Sequence, residues 1–236
     1  MTAASDARQN HLLAALPGNI FQRWESDLVL IPMPLGKVLY EAGEASSYVY
    51  FPTTAIASLL YVMEDGASAE IAVVGNEGMV GVSLFMGGGA TSSRALVQSA
   101  GEGFRMAADR FKEEFDRSSV VLHLFLLYTQ ALITQMVQTA ACNRHHTLDQ
   151  QLCRWLLLSL DRLDGNTLEM TQRLMADMLG VRREGVTEAA RKLQEAGWIR
   201  YARGRINVFD RAALEKHSCE CYEAVKREYA RLLPRS

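Results

Sequence analysis

The sequence predicts an α+β protein with two domains joined by a long helix, and three observations carry that prediction. Between Leu28 and Ala108 short apolar runs ("LVLI", "SYVYF", "IASLLYV", "AEIAVVG", "RALVQSA", "EGFRM") alternate with polar turns, and 11 of the chain's 17 glycines fall between Gly36 and Gly103. Strands this short, with no room for crossover helices between them, build an antiparallel roll or barrel. From Asp109 to about Arg144 the apolar residues recur at three- and four-residue steps, which is the period of a helix. The stretch Thr171 to Asp210 reads as two short helices around a tight turn at Leu179-Gly180-Val181, followed by a hairpin.

The elements follow in order. The chain has 236 residues, 49% of them hydrophobic, enough for two domains with separate cores. The expected division is 1–108 for N-terminal helices and roll, 109–146 for the long helix and a hinge, and 147–236 for the C-terminal domain with a helical tail. "HLLAALPGNIFQRWESD", from His11, predicts short helices broken at Pro17-Gly18. The opening from Met1 to Gln9 is polar and lacks an apolar run, so no secretory signal is expected there. Cys142, Cys153, Cys219 and Cys221 lie in segments that read as helix, which argues against a disulfide framework and for a reducing cytoplasm.

Ser119 to Ala141 is long enough to cross a bilayer. His123, Thr129, Gln130, Thr134, Gln135 and Gln138 interrupt it, and the expectation is a buried or subunit-interface helix rather than a membrane partner. Leu124, Leu127, Tyr128, Ala131, Ile133, Met136, Val137 and Ala140 leave it apolar around much of its girth. Such a helix needs two partners, its own roll and a second copy of itself, so a homodimer is expected; the other reading is the core helix of a monomer. "CNRHH", Cys142 to His146, reads as a polar hinge, with Thr147 capping the next helix.

Net charge divides unevenly. Residues 1–143 hold 8 Lys and Arg against 14 Asp and Glu, while 144–236 hold 17 against 13. A basic C-terminal half faces a polyanion more readily than an acidic one. Within that half, Thr171 caps a helix whose apolar face is Leu174, Met178 and Leu179, and Gly180 closes the turn. In the next helix, about Arg182 to Ala196, Val186, Ala189, Ala190 and Leu193 face inward. Glu184, Thr187, Glu188 and Arg191 then face outward, with Arg183 on the flank of the first turn. A protruding helix of this kind fits a major groove. The hairpin alternates Ile199, Tyr201 and Ile206, Val208 around Arg203-Gly204, leaving Arg200, Arg203 and Arg205 available to phosphates.

From Leu28 to Asp210 the chain resembles the Crp/Fnr transcription regulators, most specifically in "TQRLMADMLGVRREGVTEAARKLQEAGWIRYARGRINVFD". The resemblance implies a jelly-roll type β-roll of the cyclic-nucleotide-binding kind, a long dimerisation helix and a winged helix-turn-helix. It implies DNA with a palindromic operator and RNA polymerase as partners, and no enzymatic activity. Carried over by position, Arg183 would donate to guanine and Glu184 would accept from cytosine; Thr187 and Glu188 complete the base-reading set. Thr171, Arg173, Arg182, Arg191, Arg200, Arg203 and Arg205 form the phosphate-contacting set. This chain departs from the family pattern with Gly185 where Thr is usual and Glu188 where a second base-reading Arg is common. Glu188 either reads a base or pairs with Lys192 one turn on.

The resemblance also implies an effector pocket, placed at Met79, Val80, Gly81, Ser92, Ser93, Arg94, Met136 and Val137. Gly78-Met79 stands where cyclic-nucleotide binders carry Gly-Glu, and Ser93-Arg94 reverses their Arg-Ser, so cAMP is not expected and the cofactor is unknown. No cysteine precedes Cys142, against an iron-sulfur sensor, and His123, the sole histidine early in the long helix, reads as a core or interface residue rather than a haem ligand. Cys219 and Cys221, placed at i and i+2 of a helix near His217, would point apart and form a poor chelate, so packing and no metal are expected. "MGGGATSS", Met86 to Ser93, lacks the Lys-Ser/Thr ending of a phosphate loop and reads as a turn or pocket rim. His145 and His146 are expected to face solvent or DNA. Two further readings remain: a constitutive regulator with a degenerate roll, and a ligand-binding protein whose winged helix contacts proteins.

Overall fold

The computed structural model describes residues 7–87 and 90–233. Gly88 and Gly89 of the glycine run, and the start of the polar N-terminal segment, lie outside them. Two short helices, α1 (His11–Ala14) and α2 (Gly18–Trp24), flank the predicted break at Pro17. Seven strands follow: β1 (Val29–Met33), β2 (Val38–Tyr40), β3 (Tyr48–Pro52), β4 (Ile56–Val62), β5 (Ser68–Val74), β6 (Ser93–Ser99) and β7 (Gly101–Ala107). They form two antiparallel sheets, ordered β1-β7-β3 and β2-β6-β4-β5. The six apolar runs of the sequence supply six of these strands. Only β2 was not foreseen, because three residues give too short a pattern.

The predicted helix after Asp109 is two helices. α3 (Ala108–Arg117) stops at Ser118, whose extended backbone and side chain cap α4 (Ser119–His145) by accepting from Val121 N. Val121, Leu124, Phe125, Tyr128 and Leu132 bury one face of α4 in the roll, where Trp24, Phe51, Phe111 and Phe125 pack ring against ring. Gln135 fastens the same helix to β5 with a paired bond, accepting from Val73 N at 2.8 Å and donating to Val73 O at 3.1 Å.

The hinge is narrower than "CNRHH" suggested. Cys142 to His145 remain helical, and the chain turns only at His146 and Thr147. Thr147 and Gln150 close a reciprocal capping box that starts α5 (Leu148–Leu160). Every residue of α5 from Gln151 onward is buried, because the helix is wedged between Ile56, Leu60 and Val73 of the roll and the apolar face of the C-terminal domain. Truncating a side chain such as Leu156 there would cost about 2–5 kcal/mol. A buried ion pair crosses the same junction, Arg162 Nε to Glu77 Oε1 at 2.7 Å.

The C-terminal domain contains β8 (Thr167–Glu169), α6 (Gln172–Leu179), α7 (Arg183–Glu195), β9 (Ile199–Ala202), β10 (Arg205–Val208), α8 (Arg211–His217) and α9 (Glu220–Leu232), with strand order β8-β10-β9. α9 returns to the long helix: Gln130 Nε2 donates to Glu228 at 3.3 Å and Gln135 Nε2 to Tyr229 Oη at 2.8 Å.

Candidate nucleic-acid interface

The interface is built on a short helix, a left-handed turn and a longer helix. Thr171 Oγ1 accepts from Leu174 N at 3.1 Å and starts α6, while Met175, Ala176, Met178 and Leu179 bury its inner face. Gly180 then adopts φ 64°, a conformation that costs a side-chain-bearing residue roughly 1 kcal/mol or more. α7 enters at Arg182 with Val186, Ala189, Ala190 and Leu193 buried and Arg183, Glu184, Thr187, Glu188 and Arg191 exposed, the division expected from the sequence. Gly185 faces the first turn of α5, and a Cβ there would stand 3.0 Å from Leu148 Cδ2. A side chain at this position would press on Leu148, which would have to shift by a few tenths of an ångström.

Polar contacts fix the outer face. Thr187 Oγ1 lies within donating distance of Arg183 O (2.9 Å) and Gln172 Oε1 (3.1 Å), tying α7 to the start of α6. Glu188 pairs with Arg191 through bonds of 2.7 and 3.0 Å, and Arg191 also reaches Glu195. Of the two readings of Glu188, the pair with Lys192 does not form, because Lys192 Nζ turns to Asp149 Oδ2 at 2.9 Å and anchors α7 to α5. Hydrogen bonding to Arg191 holds the Glu188 carboxyl below the usual range.

The hairpin turns on two residues with positive φ, Arg203 at 52° and Gly204 at 76°, matching the strand twist as a primed turn does. Ile199, Ile206 and Val208 bury its inner side, and Gln194 Oε1 accepts from Tyr201 N to join it to α7. Arg200, Arg203, Arg205 and Asn207 line a shallow groove beside the exposed ring of Phe209. Of the expected phosphate set, Arg173, Arg182, Arg200 and Arg203 make no ion pair among the described residues. Arg191 and Arg205 are partnered, the latter with Glu169 at 2.7 Å, so each must exchange a carboxylate to meet a phosphate.

The expected effector pocket is a different case. Met79 and Val80 are core residues with no exposure. Val80 exchanges backbone bonds with Tyr50, and Met79 O accepts from Tyr128 Oη at 2.8 Å. Gly81 turns with φ 112° against Val49, Ser93 is buried beside Thr91, and Ser92 is exposed. Arg94 makes a two-pronged pair with Glu41, at 2.8 and 2.7 Å. Met136 packs against the roll, whereas Val137 is 59% exposed and faces outward. The sequence carried no sign of Glu41 as Arg94's partner, since the two lie 53 residues apart.

Cysteine and histidine placement also differs from expectation. Cys219 is not in the tail helix but is its extended N-cap, so it and Cys221 are not held on different sides of a helix. His217 packs against Trp198 instead of the cysteines. His145 is exposed as expected, but His146 is half-buried with Nδ1 3.7 Å from Cys221 Sγ. His123 is exposed on α4.

A β-roll joined through a long helix to a winged helix-turn-helix defines a class of sensor-coupled DNA-binding proteins. The model of the cyclic nucleotide-binding domain matches residues 31–118, and that of the Crp-like helix-turn-helix domain matches residues 150–217. The chain belongs to the Crp/Fnr family of transcription regulators. The regulators of this family bind DNA as dimers and are not, in general, enzymes. No curated protein matches the sequence.

Among solved structures, FixK2 from Bradyrhizobium japonicum is similar at TM-score 0.67 and 16% identity, over 81% of this chain and 98% of that one. A CRP-family regulator from Thermus thermophilus aligns at 0.66 and 18% identity, over 80% and 96%. The c-di-GMP responsive regulator CLP from Xanthomonas campestris aligns at 0.63 and 14% identity, over 82% and 100%. At these identities the likeness is one of fold.

Proposed function

We propose that this regulator acts in the cytoplasm as a homodimer on a two-fold-related DNA site, with Arg183, Glu184 and Thr187 of each α7 reading bases. The observation that carries the reading is an exposed helix start beside a wing whose Arg200 and Arg203 have no carboxylate partner among the described residues. Cations left unpaired in a free protein gain most from displacing the counterions of a polyanion. Arg173 and Arg182 extend the basic surface around the helix start, while Glu188, already bound to Arg191, sits beside the reading edge.

The dimer reading rests on α4. Leu122, Leu126, Ile133 and Val137 are exposed at steps of four, seven and four residues, which places them in one stripe about 60° wide along the helix. Two such helices side by side would set the spacing of the recognition helices, and RNA polymerase is the expected further partner of the bound dimer.

A second reading concerns control. Glu41 occupies the Arg94 guanidinium, and an apolar buried Met79 stands where a ribose-binding carboxylate would be needed. Both features favour either an effector other than a cyclic nucleotide or constitutive binding. The test is selection of DNA from a random library by the ligand-free full-length protein at near-physiological salt. A palindromic motif would support DNA reading and a constitutive state. Sequence-indifferent binding that an effector sharpens would support the switch, and no salt-sensitive binding in either case would remove the DNA reading in favour of a protein-contact module.

A further inference from the structure

Four side chains brought together at the junction of the two domains form a cluster outside the interface described above. Cys142 ends the long helix, His146 follows four residues later at the turn, Cys219 caps α9 and Cys221 lies in its first turn. Their sulfur and ring-nitrogen atoms all lie within 4.8 Å of one another. Cys142 Sγ is 3.4 Å from Cys219 Sγ, and Cys221 Sγ is 3.7 Å from His146 Nδ1. All four residues fall outside the two family-matched segments, 31–118 and 150–217.

We propose that Cys142, His146, Cys219 and Cys221 form a tetrahedral Cys3His site for a zinc-class divalent metal, which clasps the tail helix to the hinge. Zinc–sulfur bonds of about 2.3 Å and zinc–nitrogen bonds of about 2.0 Å put tetrahedral ligand atoms about 3.6–3.8 Å apart, close to the spacings found here. Three thiolates and one imidazole select a soft, tetrahedral ion over magnesium or calcium. The sulfur separation is far longer than the roughly 2.05 Å of a disulfide.

Two neighbours distinguish this arrangement from buried cysteines that simply fill space as small apolar groups. His146 Nε2 lies 3.3 Å from Glu220 Oε2, which aims Nδ1 at the sulfurs, the carboxylate–histidine arrangement that fixes the tautomer of a metal-binding imidazole. Arg154 is 4% exposed, has no carboxylate within ion-pair distance among the described residues, and leaves Nε without a partner. Its other contact is to a neutral group, Thr139 Oγ1, at 3.2 Å. A divalent ion with three thiolates and a neutral imidazole carries one net negative charge, a countercharge for this buried guanidinium beside that of Glu70, which lies within electrostatic reach of it. Gln151 Nε2 additionally donates to His146 O at 2.9 Å and reaches Cys142 O at 3.4 Å, holding both ligands' backbone in place. Binding displaces the protons of whichever thiols carry them, so acid releases the metal.

The experiment uses tag-free full-length protein purified under reductant from zinc-supplemented cells, with metal content measured after gel filtration. About one zinc per chain is expected, retained by Cys153→Ser and lost or sharply reduced in Cys221→Ser and His146→Gln. Cobalt(II) in place of zinc should give the intense visible and sulfur-to-metal absorption of tetrahedral thiolate coordination. Should the variants fail to fold, zinc titration of chelator-stripped wild-type protein against a chromophoric chelator reads the site directly. No stoichiometric zinc after equilibration, an octahedral cobalt spectrum, or a Cys142–Cys219 disulfide in place of metal would each overturn the site. None of these readouts involves DNA, so metal in a protein that binds no DNA would sink the regulatory reading and leave the site standing.

Discussion

The buried junction of the roll and the outer face of α7 and the wing treat charge differently. At the buried junction of the roll with the C-terminal domain Arg162 is spent on Glu77, with side chains 6% and 15% exposed, and the position where a ribose ligand would be met is an apolar core residue; Arg94 and Glu41 pair at the surface. On α7 and the wing, Arg183, Arg200 and Arg203 stay exposed and unpaired among the described residues. An interior charge must find its partner within the chain, because desolvation is expensive. A surface charge can wait for an external polyanion because water supports it meanwhile. The difference identifies which half of the molecule has kept an open electrostatic invitation.

Glu70 gives the largest expected effect and tests the roll side of the contrast. It is buried where the roll meets α5, hydrogen-bonded to Ser58 at 2.5 Å, and burial pushes its pKa from 4.5 up to about 7. The folded state therefore holds the proton between pH 4.5 and 7 while the unfolded chain releases it. Stability falls as pH rises through that window and stays reduced above it. Glu70→Gln should be more stable than the parent by about 3 kcal/mol at pH 8, and nearly equal to it at pH 4.5. Denaturant unfolding at the two pH values measures this, and an equal difference at both would mean that Glu70 is ionised in the fold.

On the recognition side, Arg183→Ala should weaken binding to a selected operator by about 1–3 kcal/mol while relaxing preference at one base pair of each half-site. Arg203→Ala should act more weakly and without regard to sequence, lowering the slope of log affinity against log salt by about one per wing. Competition binding across a salt series separates the two. Identical sequence profiles for both variants would erase the distinction between reader and phosphate contact.

Much of this architecture was legible because local patterns carried it. The glycine-punctuated apolar runs gave six strands, Thr171 and Gly180 marked both ends of α6, and helical stepping from Val186 to Leu193 separated the inner from the outer face of α7. What escaped depended on residues far apart in the chain. Glu41 meets Arg94 across 53 residues, and Cys142 meets Cys219 across 77. The helix periodicity argument against a Cys219–Cys221 chelate failed at one residue, because Cys219 caps the helix instead of joining it. Likewise Lys192 was drawn from its neighbour Glu188 by Asp149, 43 residues away. Periodicity fixes which face a residue takes, but it does not choose among partners that tertiary packing delivers to that face.

Glu188 sets the finest test of the contrast, with the smallest expected effect. Arg191 already supplies its donor, so Glu188 has no unmet need that a base must satisfy. Removing it also frees Arg191, which would keep Glu195 and gain access to a phosphate. Glu188→Ala should therefore leave the selected sequence unchanged and raise affinity several-fold at low salt, with the gain fading as salt rises. Both effects appear in one selection and titration series. A changed base preference would show that the Glu188–Arg191 pair opens on DNA and that Glu188 reads a base, making an apparently closed ion pair on the recognition face part of its code.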